Sequence, residues 1–115
     1  SFACEGRSGM QRIKDIMASL RQDTPKEICG IKVAEVKDYK ISQSVNLQSG
    51  EKAVINLPKA DVISFTLEDT STIIVRPSGT EPKIKIYVNA VGATEKEAFD
   101  KRDSLLKSGT TLLGF

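Results

Sequence analysis

The feature that most constrains the fold of this chain is a series of three strand-like runs joined by short connections. Residues 62–67 and 72–76 are short and rich in apolar and β-branched side chains, and residues 83–91 alternate strictly between apolar and polar. The apolar positions of the third run are Ile84, Ile86, Val88 and Ala90. A parallel crossover needs a dozen residues or more, and these connections are shorter. The sequence therefore predicts a mainly antiparallel sheet.

A first helix is predicted over residues 8–23, where apolar side chains recur every three or four positions. Ser8 followed by Gln11 fits a capping box, and Pro25 would stop the helix. Residues 1–8 are interpreted as a linker or hinge remnant. Because the chain does not open with Met, we expect it to be one domain of a longer protein.

A second helix is predicted to begin after Thr94, which forms a capping box with Glu97, and to end at Gly109. Its apolar stripe consists of Ala98, Phe99, Leu105 and Leu106. The apolar tail that follows must pack against the rest of the domain. Its members are Leu112, Leu113 and Phe115.

The middle of the chain has weaker patterns. Residues 31–39 are β-prone but mixed in polarity, which indicates an exposed or edge strand. Residues 40–58 are polar and rich in turn residues, with a turn at Gly50 and only weak strands. Cys29 lies in an apolar setting and is predicted to be a small buried side chain. Together these patterns predict a single α+β domain over residues 1–115, with about four mainly antiparallel strands and two helices packed on one face.

Composition excludes several classes of function. Seventeen Lys and Arg against fifteen Asp and Glu give a formal charge of +2, too balanced to indicate a nucleic-acid partner by itself. The chain has no His, which excludes Ser-His-Asp and Cys-His catalysis, and its two Cys are too few for a cysteine-rich zinc site. No apolar run approaches the roughly 20 residues of a membrane span. Carboxylates such as Asp61 and Asp69 are interpreted as solvated surface groups.

The residues best suited to bind a ligand lie between the second and third strand-like runs, in the segment RPSGTEPK over residues 76–83. Arg76 supplies a planar, permanently charged fork, and Ser78 and Thr80 supply hydroxyl donors. Gly79 allows a positive φ and lets main-chain amides approach an anion. These groups would bind a phosphate, although the same residues are also common in an ordinary hairpin turn. From residue chemistry alone, both readings stay open.

The longer string IIVRPSGTEPKIKIYV, residues 73–88, resembles the phosphate-binding loop and flanking strands in the C-terminal domain of phosphoglucomutases and phosphomannomutases, the α-D-phosphohexomutase family. The resemblance extends to GMQRIKDIMASLR, IKVAEVKDYK and ADVISFTLED, and so covers most of the chain. It implies a TATA-box-binding-protein-like α+β fold. It also favours the phosphate-binding reading over the ordinary turn.

The family resemblance implies a specific role. In such mutases four domains surround one cleft: a phosphoserine in the first exchanges a phosphoryl group with the sugar, Mg²⁺ is held in the second, and the third contacts the sugar hydroxyls. The fourth binds the phosphate that is not being transferred while a bisphosphorylated hexose turns over. The matching positions here are Arg76, Ser78, Gly79, Thr80 and Lys83.

The family's other loops have no counterpart in this sequence: there is no Ser-His phosphoacceptor loop, no DxDxD metal loop and no sugar-contacting GExSG loop. We therefore expect the isolated chain to be inactive, with no cofactor of its own, and to act with a hexose phosphate and three further domains in the cytoplasm. Neither nucleic acid nor a membrane is an expected partner. The alternative is a nucleic-acid-binding or purely structural module on the same kind of sheet. The sequence leaves open the preference for glucose or mannose and the oligomeric state.

Overall fold

The fold consists of one sheet and two long helices. The structure is a computed structural model that describes residues 2–3 and 6–114. The strands are β1 (Phe2–Ala3), β2 (Glu27–Ile28), β3 (Ile31–Asp38), β4 (Gln43–Asn46), β5 (Lys52–Val54), β6 (Ile63–Leu67), β7 (Thr72–Pro77) and β8 (Lys83–Asn89). The helices are α1 (Gly6–Gln22) and α2 (Glu95–Leu112).

The strands are ordered β1-β8-β7-β6-β3-β4-β5, and β2 forms a small hairpin with β3. All strand pairs among the described residues are antiparallel, and the pairs that follow each other in the chain have the short connections typical of this arrangement. The predicted α+β class with an antiparallel sheet is confirmed. The predicted number of about four strands is too low, because β1, β4 and β5 extend the sheet at its two edges.

One face of the sheet carries the core. On β7 and β8, Ile73, Val75 and Ile84 are almost completely buried, whereas their strand neighbours Arg76 and Lys85 are exposed. Both helices pack against the apolar face, and Leu105 of α2 and three residues of α1 complete the same cluster. The α1 residues are Ile13, Met17 and Leu20. Burial of these side chains is the main force that holds the helices to the sheet. We call the opposite face of β7 and β8 the outer face; the described helices pack on the other side of the sheet.

β3 was predicted to be an exposed or edge strand, and this is wrong. It lies inside the sheet, with β6 on one side and β4 on the other. The mixed polarity arises at an irregularity between Val33 and Glu35, where the register with β6 shifts: Val33 is buried, whereas Glu35 and Lys37 pair with each other in solvent. The predicted turn at Gly50 is confirmed by a φ of +77° and a 2.7 Å bond from its amide to the carbonyl of Asn46.

The start of α1 differs from the prediction. The helix begins at Gly6, so Ser8 lies within its first turn and not at the N-cap. The side-chain amide Nε2 of Gln11 donates to Oδ1 of Asp15, 2.8 Å away, so Gln11 forms an i to i+4 bond within the helix. Residues 1, 4 and 5 of the predicted 1–8 linker lie outside the described residues. The main chain of Phe2–Ala3 pairs with β8.

The predicted cap of α2 is confirmed, and its predicted end is wrong. The hydroxyl of Thr94 accepts a 3.1 Å bond from the amide of Glu97. Gly109 does not end the helix; it lies within it and faces Ile86, whose methyl groups would be 3.8 Å from an added Cβ. These are ordinary van der Waals distances, so the packing of α2 on β8 would also accommodate an alanine at this position. The helix stops at Leu112, and Gly114 follows with a φ of +84°.

Two further predictions about side chains of α2 and the tail are corrected. Phe99 and Leu106 were placed in the apolar stripe but are 66% and 38% exposed. In the tail, Leu113 packs into the core as expected, Leu112 is 39% exposed, and Phe115 lies outside the described residues.

The prediction that Cys29 is buried is also wrong. Cys29 and Gly30 are the two central residues of the β2–β3 hairpin, with φ values of +56° and +75°. Two successive positive φ values are the signature of a type I′ turn, which matches the twist of a two-residue hairpin. The turn places Cys29 at the surface as a free thiol.

Ion pairs hold the helices to the connections between strands. Arg21 of α1 bonds to Asp38 at 3.0 Å and to Asp61 at 2.7 Å, and Lys101 of α2 bonds to Asp69 at 2.7 Å. Asp61 and Asp69 are therefore structural ion-pair partners, which corrects their interpretation as solvated groups. Within the described part of the chain, neither helix is both long and apolar enough to cross a bilayer.

Candidate functional site

The candidate site is the connection between β7 and β8, which is held by continuous strand pairing. Arg76 faces Lys85 directly across the two strands. The amide of Ser78 donates a 2.9 Å bond to the carbonyl of Lys83, and this bond continues the same register by one residue. Residues 78–82 therefore form a tight bend, called the β7–β8 bend here, whose two ends are fixed by the sheet.

Strand alternation decides which side chains share a face. Because Val75 and Ile84 are buried on the helix side, Arg76 and Lys85 must point to the outer face. Lys83 is two residues before Lys85 and lies on the same face. All three side chains are exposed. We call Arg76, Lys83 and Lys85 the outer cation cluster.

Two of these cations have no counter-charge among the residues that the structure describes. Within residues 2–3 and 6–114, neither Arg76 nor Lys85 forms an ion pair or a side-chain hydrogen bond. Like charges placed directly opposite on a sheet destabilise it. The pair is therefore a local electrostatic cost that an anion at this position would relieve.

The bend adds neutral donors beside the cations. Gly79 has a φ of +85° and open space on its Cβ side, and the hydroxyl oxygens of Ser78 and Thr80 lie 3.5 Å apart. The amides of Gly79, Thr80 and Glu81 donate no hydrogen bond to any described residue. Consecutive free amides at a positive-φ bend are donors that an anion can accept. The bend has both the charge and the donors for an oxyanion.

Lys83 differs from the other predicted residues. Its ammonium Nζ lies 3.2 Å from Oε2 of Glu81. Its amide donates to the carbonyl of Glu81, 2.7 Å away. The structure thus brings Arg76, Ser78, Gly79, Thr80 and Lys83 into one bend and its flanking strands, but the charge of Lys83 is matched by a carboxylate.

Lys85 is the residue that sequence reasoning did not include in the site. Its place opposite Arg76 depends on the strand register, which the motif string does not reveal. The alternation of residues 83–91, combined with the length of the bend, sets the register of β8 against β7 and would have identified Lys85 as the partner of Arg76. Beyond Lys85, Tyr87 is 48% exposed on the same face, opposite Ile74.

Other surfaces of the domain lie apart from the bend. A cavity of about 180 Å³ opens between α1, β3 and β4 and is lined by Leu20, Arg21, Val45 and Leu47 among others. It lies toward the edge of the sheet opposite to β8. No group of three or more His, Cys, Asp or Glu among the described residues could hold a metal ion, so these residues do not fit the magnesium that the family resemblance implies.

A family model and the curated relatives of this chain point to the same protein family. The family model described as phosphoglucomutase/phosphomannomutase, C-terminal domain, matches residues 11–102. The phosphoglucomutase of Staphylococcus epidermidis is 44% identical over 89 residues, which are 77% of this chain and 16% of that protein. A phosphoglucomutase of Staphylococcus aureus matches over the same shares at 44% identity, and that of another strain at 43%. No solved structure matches the chain.

The matched region includes β3, β6, β7, the β7–β8 bend and β8, which are the elements that build the candidate site. The chain spans about one sixth of the length of these curated relatives. The resemblance seen in the sequence is thereby confirmed. The chain belongs to the phosphoglucomutase/phosphomannomutase family and corresponds to its C-terminal domain.

Proposed function

We propose that this domain binds the phosphate that is not being transferred, within a phosphohexomutase that interconverts hexose 1- and 6-phosphates through a bisphosphorylated sugar. The observation that carries the proposal is the facing pair of Arg76 and Lys85, which have no partner among the described residues and adjoin three free amides. Family membership supports the assignment of phosphate as the anion.

The chemistry of the bend suits a phosphate dianion. The guanidinium of Arg76 can donate two parallel bonds to two phosphate oxygens, while Lys85 acts as a point charge beside it. The hydroxyls of Ser78 and Thr80 and the amide of Gly79 supply further donors. Hydrogen bonds to charged groups contribute about 1.5–3 kcal/mol each, so a few of them are sufficient for useful affinity.

The exposure of the bend indicates that it forms only part of a site. The outer cation cluster lies on a strand face open to solvent and not in a closed pocket. We therefore assign the other walls of the site to the remaining domains of the enzyme. The contribution of this domain to the reaction is then positioning: a phosphate fixed here holds the far end of the sugar near the group that exchanges phosphate.

This role assigns the bond-making steps to other domains. The phosphoserine, the Mg²⁺ and the residues that contact sugar hydroxyls belong to the other domains of the enzyme. We place the enzyme in the cytoplasm, as the resemblance implies. The isolated chain should not convert glucose 1-phosphate to glucose 6-phosphate, and clear turnover by the purified chain would contradict this assignment.

The direct test of the role in catalysis is Arg76→Ala in the full-length enzyme that carries this domain. Loss of the bidentate contact should lower kcat/KM by about tenfold to a hundredfold, equivalent to one charge-assisted hydrogen bond or slightly more. KM should rise and kcat should fall together, because a poorly held phosphate also misplaces the reacting end of the sugar.

The matched control is Arg102→Ala on the exposed surface of α2, where the guanidinium makes no ion pair among the described residues. This variant removes the same charge and the same side chain without changing the bend. It should leave both kinetic constants within a factor of two of the wild type. Equal effects of the two substitutions, or none from Arg76→Ala, would overturn the proposed role.

A further inference from the structure

Glu81 is the one acid within the β7–β8 bend, and the proposed function leaves its role unexplained. An acid is unexpected in a site for an anion, because it repels the ligand. Its carboxylate lies 3.2 Å from the ammonium of Lys83, and the two side chains are 60% and 48% exposed. A carboxylate oxygen is thus already bound to one of the three cations of the cluster.

The main chain holds this pair in place from both sides. The amide of Ser78 bonds to the carbonyl of Lys83 at 2.9 Å, and the amide of Lys83 bonds to the carbonyl of Glu81 at 2.7 Å. These bonds fix the positions from which both side chains extend. The side chains themselves are held only by their exposed ion pair, and such pairs contribute little to stability. Lys83 can therefore change partner at small cost.

We propose that Glu81 is an internal competitor for the phosphate: in the ligand-free bend it binds Lys83, and a phosphate dianion displaces it and takes Lys83 into the site. This inference rests on the proposed function and adds the residue that sets the affinity of the site. A dianion competes successfully because it carries twice the charge of the carboxylate and is also held by Arg76 and Lys85.

The consequence is a site that binds phosphate more weakly than its three cations would allow. A bisphosphorylated sugar must leave the bend and return with its other phosphate, and tight binding of that intermediate would slow the exchange. Uniformly tighter binding of a bound state does not raise kcat. Glu81 thus favours turnover over retention of the ligand.

The test compares four forms of the 115-residue chain: wild type, Glu81→Gln, Lys83→Gln and the double variant. Each is titrated with inorganic phosphate at pH 8, and the NMR shifts of the Gly79 and Thr80 amides report binding. Glu81→Gln should bind phosphate about two- to fivefold more tightly, the range expected for removal of one exposed ion pair. In the Lys83→Gln background the same change should give less than half of that gain, since no lysine remains to be released.

The control is Glu51→Gln, an exposed glutamate before β5 at the far edge of the sheet, which raises the net charge equally. It should leave the affinity unchanged. A wild-type chain that shifts saturably while Glu81→Gln binds no more tightly would overturn the competitor role and leave the proposed function intact. An undiminished gain in the Lys83→Gln background would also overturn it, because Glu81 would then act by repulsion alone. A wild-type chain that shows no saturable shift would overturn the proposed function itself.

Discussion

Two successive bends of the same sheet differ in how their polar groups are satisfied. The β6–β7 bend, residues 68–71, has its polar groups bonded within the fold. Ser71 is completely buried, and its hydroxyl accepts a 3.1 Å bond from the amide of Val91. Asp69 accepts bonds from the amide of Ser71 at 3.0 Å and from Lys101 at 2.7 Å. This bend fastens α2 to the sheet.

The β7–β8 bend, residues 78–82, is of similar length, but its polar groups are arranged in the opposite way. The flanking cations Arg76 and Lys85 have no counter-charge among the described residues, and the amides of Gly79, Thr80 and Glu81 have no internal acceptor there. A bend that stabilises the fold uses its polar groups internally, and a bend that binds a ligand keeps them available. The bends also differ in charge, since residues 68–71 include two acids whereas the β7–β8 bend is flanked by three cations.

Among substitutions in the two bends and their flanking strands, Lys85→Glu should have the largest effect. The new carboxylate would face Arg76 across the sheet and act as its counter-charge, so phosphate affinity should fall by more than about tenfold. The free energy of unfolding should at the same time rise by about 0.2–1 kcal/mol, because a like-charged pair becomes an opposite-charged one. Phosphate titration and urea denaturation of the same sample measure both effects.

Lys52→Glu on β5, at the other edge of the sheet, is the matched charge reversal. It should leave phosphate affinity unchanged and alter stability by less than about 0.5 kcal/mol. If Lys85→Glu instead destabilises the fold, the facing cations do not carry the electrostatic cost assigned to them.

In the β6–β7 bend, Asp69→Asn should have the opposite outcome. The substitution removes the charge that Lys101 binds and weakens the bond to the amide of Ser71. We expect a loss of about 1–2 kcal/mol in the free energy of unfolding, measured by urea denaturation. Phosphate affinity should not change, and a weakened phosphate response would show that the two bends are not independent.

A serine in each bend allows a closer comparison. Ser71→Ala should cost about 1 kcal/mol of stability because the amide of Val91 loses its acceptor, and it should leave binding unchanged. Ser78→Ala should change stability by less than about 0.5 kcal/mol and weaken phosphate binding by about two- to tenfold. Serine-to-alanine substitution would then affect stability in the β6–β7 bend and phosphate binding in the β7–β8 bend. Identical outcomes at Ser71 and Ser78 would contradict this difference between the two bends.

The smallest expected effect is a dependence of stability on pH that belongs to Asp69. Burial acts to raise the pKa of this carboxyl, but bonds from Lys101 and Ser71 outweigh burial and hold the pKa below its ordinary value. A lowered pKa in the folded state stabilises the fold above the ordinary carboxyl pKa of about 4, and the contribution is lost as the pH falls through the lower, folded value. The stability difference between wild type and Asp69→Asn should therefore be constant near neutral pH and shrink in acid. A difference that grows in acid would contradict the sign of the shift.

Sequence patterns predicted the parts of the fold that depend on local periodicity and short connections. The alternation in β8 and the cap at Thr94 are local signals, and both are confirmed. The interior position of β3 was missed because it depends on β4 and β5, whose polar residues resemble a loop. The end of α2 was misplaced because a glycine inside a helix and one that ends it have the same local sequence, and Gly109 lies within the helix.

In the candidate site, too, local features were predicted from the sequence and features that depend on tertiary contacts were not. The string RPSGTEPK predicted the bend and its donors, because a linear motif holds them all. The place of Lys85 beside Arg76 and the pairing of Lys83 with Glu81 depend on register and on side-chain partners. Burial of Cys29 was predicted from apolar neighbours, but the two-residue turn sets its exposure. Pairing and burial of these residues depend on contacts in the folded structure and not on their neighbours in the sequence.

The most direct test is an NMR titration of the 115-residue chain with glucose 6-phosphate, with glucose and a DNA duplex at low salt as parallel titrations. We predict saturable amide shifts centred on residues 76–85 with glucose 6-phosphate, their loss in Arg76→Ala, and no comparable response to glucose or DNA. An absent response to the phosphosugar, or one centred on the cavity between α1 and β4, would contradict the claim that the β7–β8 bend holds phosphate.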